Sequence, residues 1–187
     1  IVGKFERACT IYNDTYQTQI RANKSFQRKI ANARMYLSHF VQVLHMSVIR
    51  GEIKSENLAL YGLENNDLLV PDMSTNDLLL EWGNKIINGE EQRIAEGGVP
   101  IYNPTIAKVK VMYSIFKDGD KTQKIHRKAT FRTQSDVSDL RAEVDEIVLA
   151  IWNQVEEANS KLPLEKKIKK NSEYGVVYYY RKGERVK

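Results

Sequence analysis

The sequence predicts an all-α fold: an antiparallel helical bundle of four to five helices with a long N-terminal helix and a minor β element. Three features indicate this class. Residues 4–50 contain no Pro or Gly, three later segments carry apolar residues at helical spacing, and the connections alternate in length. A chain of 187 residues with 42% hydrophobic and 28% charged residues is long and apolar enough to bury a core.

The first helix is predicted from a seven-residue repeat that continues over six heptads. Its seam of core positions advances in alternating steps of four and three residues, as in a helix packed along one line. The seam comprises Phe5, Cys9, Tyr12, Tyr16, Gln19, Asn23, Phe26, Ile30, Ala33, Leu37, Phe40, Leu44 and Ser47. Because Gln19 and Asn23 are polar, a kink or break is expected at 23–25, and Gly51 ends the helix.

Two further helices are indicated by capping residues. Ser74 is expected to cap the second helix, with Asp77 three residues later, and the glycines of "EGG" at 96–98 end it. Asn103 is expected to cap the third helix, with Pro104 in the first helical position.

The remaining helical signal is first weak and then strong. Residues 117–128 keep one apolar residue, and we favour a helix weakened at Gly119 over a loop. A wide apolar face that should pack into the bundle follows: Val137, Leu140, Val144, Ile147, Val148, Ile151, Trp152 and Val155. Its seam slips by one residue, from an expected position 141 to Leu140, which predicts a bend near 135–139.

The C-terminal segment 161–187 differs from the rest in charge. It holds nine Lys/Arg against three Glu, a balance of +6, so the first 160 residues balance to −1 within the total of +5. We therefore assign 1–160 to the helical bundle and 161–187 to a basic, Tyr-rich extension packed on it.

Residues 175–181 of this extension favour a β-strand because they are rich in Val and Tyr. A single strand cannot satisfy its own backbone hydrogen bonds, so it needs a neighbour. Within the chain, 99–102 and 68–70 are the extended candidates, and the alternative is a strand in a partner protein.

Common catalytic and metal-binding patterns are absent from the sequence. The single cysteine, Cys9, excludes an intrachain disulfide, and the three histidines lack the spacing of a metal-binding pair. The acidic pairs Glu143 with Glu146 and Glu90 with Glu91 are interpreted as solvated carboxylates. We therefore expect no catalytic residue, no metal and no cofactor, and regard a non-enzymatic protein as the favoured class.

Two binding functions remain. The long seam and the strand favour a helical interaction or structural module, coiled-coil-like, that contacts a protein partner or a second copy of itself. The alternative is nucleic-acid binding, in which cations contact phosphates and rings stack on bases. The residues expected to make partner or nucleic-acid contacts are Lys166, Lys167, Lys169, Lys170, Tyr178, Tyr179, Tyr180, Arg181 and Lys182.

Membrane insertion is not expected, because no apolar run approaches the roughly 18–20 residues that span a bilayer. A cytoplasmic location fits this composition. The chain starts at Ile1 rather than at Met, so a truncated N-terminus, including a removed export signal, is compatible with the sequence.

Two stretches, "LRAEVDEIVLAIWNQVEE" and "SEYGVVYYYRKGE", carry a resemblance. The chain resembles a group of uncharacterised bacterial helical-bundle proteins that have a Trp-Asn-x-Val-Glu-Glu helix and a Tyr-Gly-Val-Val-Tyr ending. The likeness runs from Ala31 to the end of the chain. It implies a bacterial source, and it transfers no activity and no site residue.

Overall fold

The computed structural model describes residues 1–65 and 67–179. Within them lie the α-helices α1 (Val2–Ile49), α2 (Asn76–Ala95), α3 (Ile106–Ala158) and α4 (Leu164–Ser172), and a 3-10 helix, Ser55–Tyr61, between α1 and α2. The prediction of an all-α helical bundle with a long N-terminal helix is confirmed.

Helix α1 is continuous over 48 residues and does not break at Asn23. Every predicted seam position from Phe26 onward is buried: Phe26, Ile30, Ala33, Leu37, Phe40, Leu44 and Ser47. Val41 and His45, beside the seam, are buried as well. None of residues 1–25 is buried. The predicted register is therefore correct in the second half, while the first half of the seam is only partly covered.

The start of α2 lies one residue later than predicted. Thr75, rather than Ser74, is the N-cap, and its hydroxyl accepts a hydrogen bond from the Leu78 amide at 3.2 Å. The backbone and hydroxyl of Ser74 instead donate to the Asp72 carboxylate. Both side chains have capping chemistry, so the turn at Asp72 decides which of them caps.

Helix α3 is a single element of 53 residues, so the expectation of a helix rather than a loop at 117–128 is confirmed. Its first turn is capped by Thr105, whose hydroxyl accepts from the Lys108 amide, and not by Asn103. Gly119 lies where a Cβ would come within 2.8 Å of the Phe26 ring. The glycine therefore permits close helix packing rather than weakening the helix.

The hydrophobic core joins the second half of α1 to the 3-10 helix, α2 and the first part of α3. The Phe26 and Phe116 rings stack with centroids 5.9 Å apart, and the Lys108 ammonium lies 5.9 Å from the Tyr36 ring. Because lower numbers on α1 face higher numbers on α3, these two helices run antiparallel in the core.

The chain divides into two compact units. The first unit is Ile1–Asp14 with Phe131–Lys187, and the second unit is Thr15–Thr130. Every residue of the hydrophobic core belongs to the second unit. The first unit contains the predicted basic extension.

The prediction of a strand at 175–181 is wrong for its described part, 175–179; the remainder lies outside the described residues. Residues 172–176 instead end α4: the Gly175 amide donates to the Ser172 carbonyl at 3.0 Å and the Val176 amide to the Asn171 carbonyl at 3.2 Å. Gly175 has a φ of 78°, and this pair of bonds is a Schellman cap. Because Val176 is the buried apolar residue of the cap, it is not available to a sheet.

The predicted strand partner, 99–102, forms no strand; Tyr102 makes only an isolated bridge to Thr105 of its own unit. The backbone of 99–102 is bound by side chains of α2, with the Val99 carbonyl accepting from Arg93 and the Ile101 amide donating to Glu90. Pro100, between them, has no amide hydrogen to offer on the other edge. This extended segment is therefore already occupied by its own unit.

Candidate functional site

The four predicted lysines of α4 form one basic surface, here called the lysine face: Lys166, Lys167, Lys169 and Lys170. Positions on an α-helix are about 100° apart, so these four spread over an arc of roughly 160°. Lys167 is half-buried and the other three are exposed. On the other side of the helix, Ile168 is half-buried and Asn171 is fully buried.

Of the predicted tyrosines, Tyr178 is held by hydrogen bonds and Tyr179 is exposed to solvent. Tyr178 is 38% exposed, and its hydroxyl accepts from Asn171 Nδ2 at 2.5 Å and donates to Glu156 Oε1 at 2.7 Å. The bond from Asn171 lowers the pKa of Tyr178, but desolvation and the Glu156 carboxylate outweigh it and raise the pKa. Tyr179 is 87% exposed, while Tyr180, Arg181 and Lys182 lie outside the described residues.

The tail folds back on the end of α3 through polar contacts. Trp152 Nε1 donates to the Tyr174 carbonyl at 3.1 Å, and Asn159 Nδ2 donates to Asn171 Oδ1 at 2.8 Å. Trp152 belongs to one of the two stretches that carry the resemblance, and Tyr174 belongs to the other. These two motifs therefore form one local structure.

The apolar face of α3 in the first unit is less covered than the sequence predicted. None of residues 131–158 is buried. Ile147, Ile151 and Trp152 are 37%, 47% and 36% exposed, and Val137, Leu140, Val144, Val148 and Val155 are half-buried. The prediction that this face packs fully into the bundle is therefore wrong within the described residues, since no element covers it completely.

A buried ionic network, which the sequence interpretation missed, lies in the second unit. Glu90 of α2 is fully buried, so its interpretation as a solvated carboxylate is wrong. Its Oε2 accepts from the Tyr61 hydroxyl at 2.5 Å and from Arg93 Nε at 2.9 Å. Its Oε1 accepts from Arg93 Nη2 at 2.9 Å and from the Ile101 amide at 3.1 Å.

This network perturbs the ionisation of its members. Burial raises the pKa of Tyr61, and the hydrogen bond to the Glu90 carboxylate raises it further. Burial alone would lower the pKa of Arg93, but its bonds to Glu90 and Tyr61 outweigh burial and raise it. At neutral pH Tyr61 is therefore a neutral phenol and Arg93 a guanidinium.

Above the network lies an open groove of about 900 Å³. Its wall is the segment 97–103, which Glu90 and Arg93 hold through Val99 and Ile101. The other residues that line the groove belong to the end of α1, the connector after it and the end of α2. The groove is lined by Val43, Ser47, Arg50, Glu52, Ile53, Lys54, Asn57, Arg93, Glu96, Gly97, Gly98, Val99, Pro100, Ile101, Tyr102 and Asn103.

Metal binding and membrane crossing find no support in the described part of the chain. No group of three or more His, Cys, Asp or Glu side chains among these residues is placed to hold a metal ion. No helix in 1–65 or 67–179 combines the length and apolarity that crossing a bilayer needs.

Comparison with known proteins gives no relative. No protein-family model, no curated protein and no solved structure matches the chain.

Proposed function

We propose that this protein is a non-enzymatic helical module that associates with a second copy of itself through α3 in the first unit. The observation that carries the proposal is the exposure of apolar residues at coiled-coil spacing. Five residues, here called the α3 face, advance in steps of three and four and are incompletely covered: Ile147 and Ile151 are 37% and 47% exposed, and Val137, Leu140 and Val144 are half-buried.

This spacing is what a helix needs to pack along another helix. In the second unit the same kind of repeat on α1 is fully covered, with Leu37, Phe40 and Leu44 at 0% exposure. Each additional Å² of apolar surface removed from water contributes about 25 cal/mol. Covering the α3 face is therefore favourable.

A second copy is the occupant that this face fits best. Two-fold association brings the same patch from each chain together, so an apolar repeat on one copy meets an apolar repeat on the other. No metal, cofactor or separate partner is required. The proposal thus keeps the protein in the class of interaction modules.

Measuring the molar mass as a function of protein concentration tests the proposal. Two aspartate substitutions on different sides of α3 are compared with the wild type. Ile151→Asp places a charge on the α3 face. Leu149→Asp is the matched control, because Leu149 is 57% exposed and lies about 200° around the helix from Ile151. We expect wild type and Leu149→Asp to dimerise and Ile151→Asp to stay monomeric. Equal mass for all three proteins would refute the use of this face.

Single-stranded nucleic-acid binding is the second candidate, and the exposure of the lysine face supports it. Four neutralised phosphates would give a slope of roughly −3 for log affinity against log salt, at about −0.7 per phosphate. Binding of fluorescent oligo(dT) over a salt series tests this. Lys169→Ala/Lys170→Ala should reduce the slope by about 1.4, while Lys121→Ala/Lys128→Ala on α3 leaves it unchanged. No binding at low salt removes this candidate.

A further inference from the structure

The groove of the second unit has the features of a ligand site, independent of self-association. From its geometry we infer that it binds a ligand with an apolar body and a carboxylate, and that Arg93 Nη1 receives the carboxylate. Its volume of about 900 Å³ lies within the range of ligand pockets in proteins.

Arg93 is a buried cation, and one nitrogen of its guanidinium has no hydrogen-bond acceptor among the described residues. Only 4% of the residue is exposed. Its Nε donates to Tyr61 and Glu90, and its Nη2 donates to Glu90 and to the Val99 carbonyl at 2.7 Å. The two N–H groups of Nη1 have no acceptor among the described residues. Nη1 therefore has two N–H groups that a ligand oxygen entering the groove can accept from.

Gly98 leaves this nitrogen uncovered. A Cβ at position 98 would lie 2.6 Å from Arg93 Nη1 and 2.7 Å from the Arg93 carbonyl oxygen, so a side chain there would crowd both the nitrogen and the end of α2. Gly98 and Arg93 both line the groove. The missing side chain therefore makes an opening from the groove to a fixed guanidinium.

Counted together with the buried Glu90, the charged side chains of the groove sum to zero, so an anion would be held by hydrogen-bond donors rather than by net charge. Three cations, Arg50, Lys54 and Arg93, face two carboxylates, Glu52 and Glu96. Glu52 is held by Arg50 through bonds of 2.7 Å and 2.8 Å, so its charge is already compensated. Glu96 accepts a hydrogen bond from the Gln92 side-chain amide at 2.9 Å. Glu90 balances the charge of Arg93, but the two N–H groups of Nη1 remain able to donate to an incoming carboxylate, and Lys54 lines the same groove.

The wall of the groove supplies the apolar contacts. Val99 and Tyr102 are 79% and 89% exposed, and Pro100 between them is exposed as well. Exposed apolar residues beside a buried cation fit a ligand that has both characters. Two sources share this chemistry: a small free acid and the C-terminal residue of a peptide.

Four probes separate carboxylate recognition from apolar contact, and a free acid from a peptide. They are 4-phenylbutyrate and its amide, and the peptide Ac-Gly-Val-Phe with a free or an amidated C-terminus. Two-dimensional NMR follows the Arg93 Nε–Hε signal and the amides of Gly98 and Ile101. We expect both acids to shift these signals saturably and both amides to bind at least about tenfold more weakly, a difference of about 1.4 kcal/mol. Tighter binding of the peptide acid than of 4-phenylbutyrate assigns the site to a peptide C-terminus, and the reverse assigns it to a free acid.

Two variants locate the contact. Gly98→Ala crowds Nη1 and also the Arg93 carbonyl oxygen, and it should weaken the better acid by about tenfold or more; Lys54→Ala tests the groove without this backbone contact. Lys54→Ala removes an exposed side chain, leaves the fold intact and should weaken binding severalfold, while Lys85→Ala outside the groove has no effect. The inference is overturned if acids and amides bind alike, if the shifts centre away from Arg93, or if Lys54→Ala and Lys85→Ala are indistinguishable. None of these results depends on the oligomeric state.

Discussion

Removal of the Glu90 carboxylate should destabilise the second unit more than any surface ion-pair deletion. In Glu90→Ala, the Arg93 guanidinium stays buried but loses its counter-charge, and the Tyr61 hydroxyl and the Ile101 amide lose their acceptor. Breaking a buried ion pair from one side costs about 3–5 kcal/mol. The four hydrogen bonds to Glu90 do not add separately, because they form one network.

The same helix provides a matched control. Glu81 and Lys85 form an ion pair at 2.7 Å on α2, but their side chains are 54% and 44% exposed. An exposed pair of this kind contributes about 0.3–0.5 kcal/mol. Glu81→Ala therefore removes a carboxylate from α2 without leaving a buried charge.

Urea denaturation followed by circular dichroism measures both variants at one protein concentration. We expect Glu90→Ala to lower the free energy of unfolding by about 3–5 kcal/mol and Glu81→Ala by less than about 0.5 kcal/mol. In a double-mutant cycle, Arg93→Met should recover about 1–3 kcal/mol in the Glu90→Ala background. A loss of under about 1 kcal/mol for Glu90→Ala, or no coupling to Arg93, would refute a buried charge pair.

Other predictions concern the core, the pH dependence and the tail. Leu37→Ala should cost roughly 2–5 kcal/mol, and Trp152→Ala should cost less because Trp152 is 36% exposed; equal losses in urea denaturation would contradict this. Burial lowers the pKa of His45 although a backbone hydrogen bond opposes it, so the unfolded chain binds the proton first as pH falls. The free energy of unfolding should therefore decrease below about pH 6.5, by at most about 1.4 kcal/mol per pH unit. The control His39→Gln should show the same decrease as the wild type, and His45→Leu a smaller one. Asn171→Ala should release the tail and speed amide exchange at Val176; unchanged exchange would show that the side-chain bonds do not hold it.

The helices of the second unit were predictable because periodicity reports directly on the buried face. The α1 register from Phe26 to Ser47 follows from spacing alone, since residues three and four apart lie on one side of a helix. The cap positions were less certain, because Ser74 and Thr75 have the same capping chemistry. Only the local turn distinguishes them.

The tail shows where residue preference misleads. Its valines and tyrosines favour a strand, but Gly175 follows α4 at the position where a left-handed residue ends a helix. The glycine was the available signal, and it points to a cap with Val176 as the buried residue. A C-terminal cap forms at the end of its own helix, whereas a strand needs a second strand to pair with.

The buried network and the groove were missed for different reasons. Glu90 lies four residues after Ile86 and three before Arg93, so it occupies a core position of α2 with an arginine one turn away. That spacing was a readable signal of a buried pair. The groove was not readable, because it depends on how residues 43–57 approach residues 93–103 in space.

The most direct test of self-association is sedimentation equilibrium of the wild type from about 10 µM to about 1 mM, beside Ile151→Asp. The chain mass is 21.6 kDa. Association through the α3 face predicts a weight-average mass that rises toward twice this value in the wild type and stays at the monomer mass in Ile151→Asp. A wild type that remains at 21.6 kDa throughout the range would contradict the proposed function.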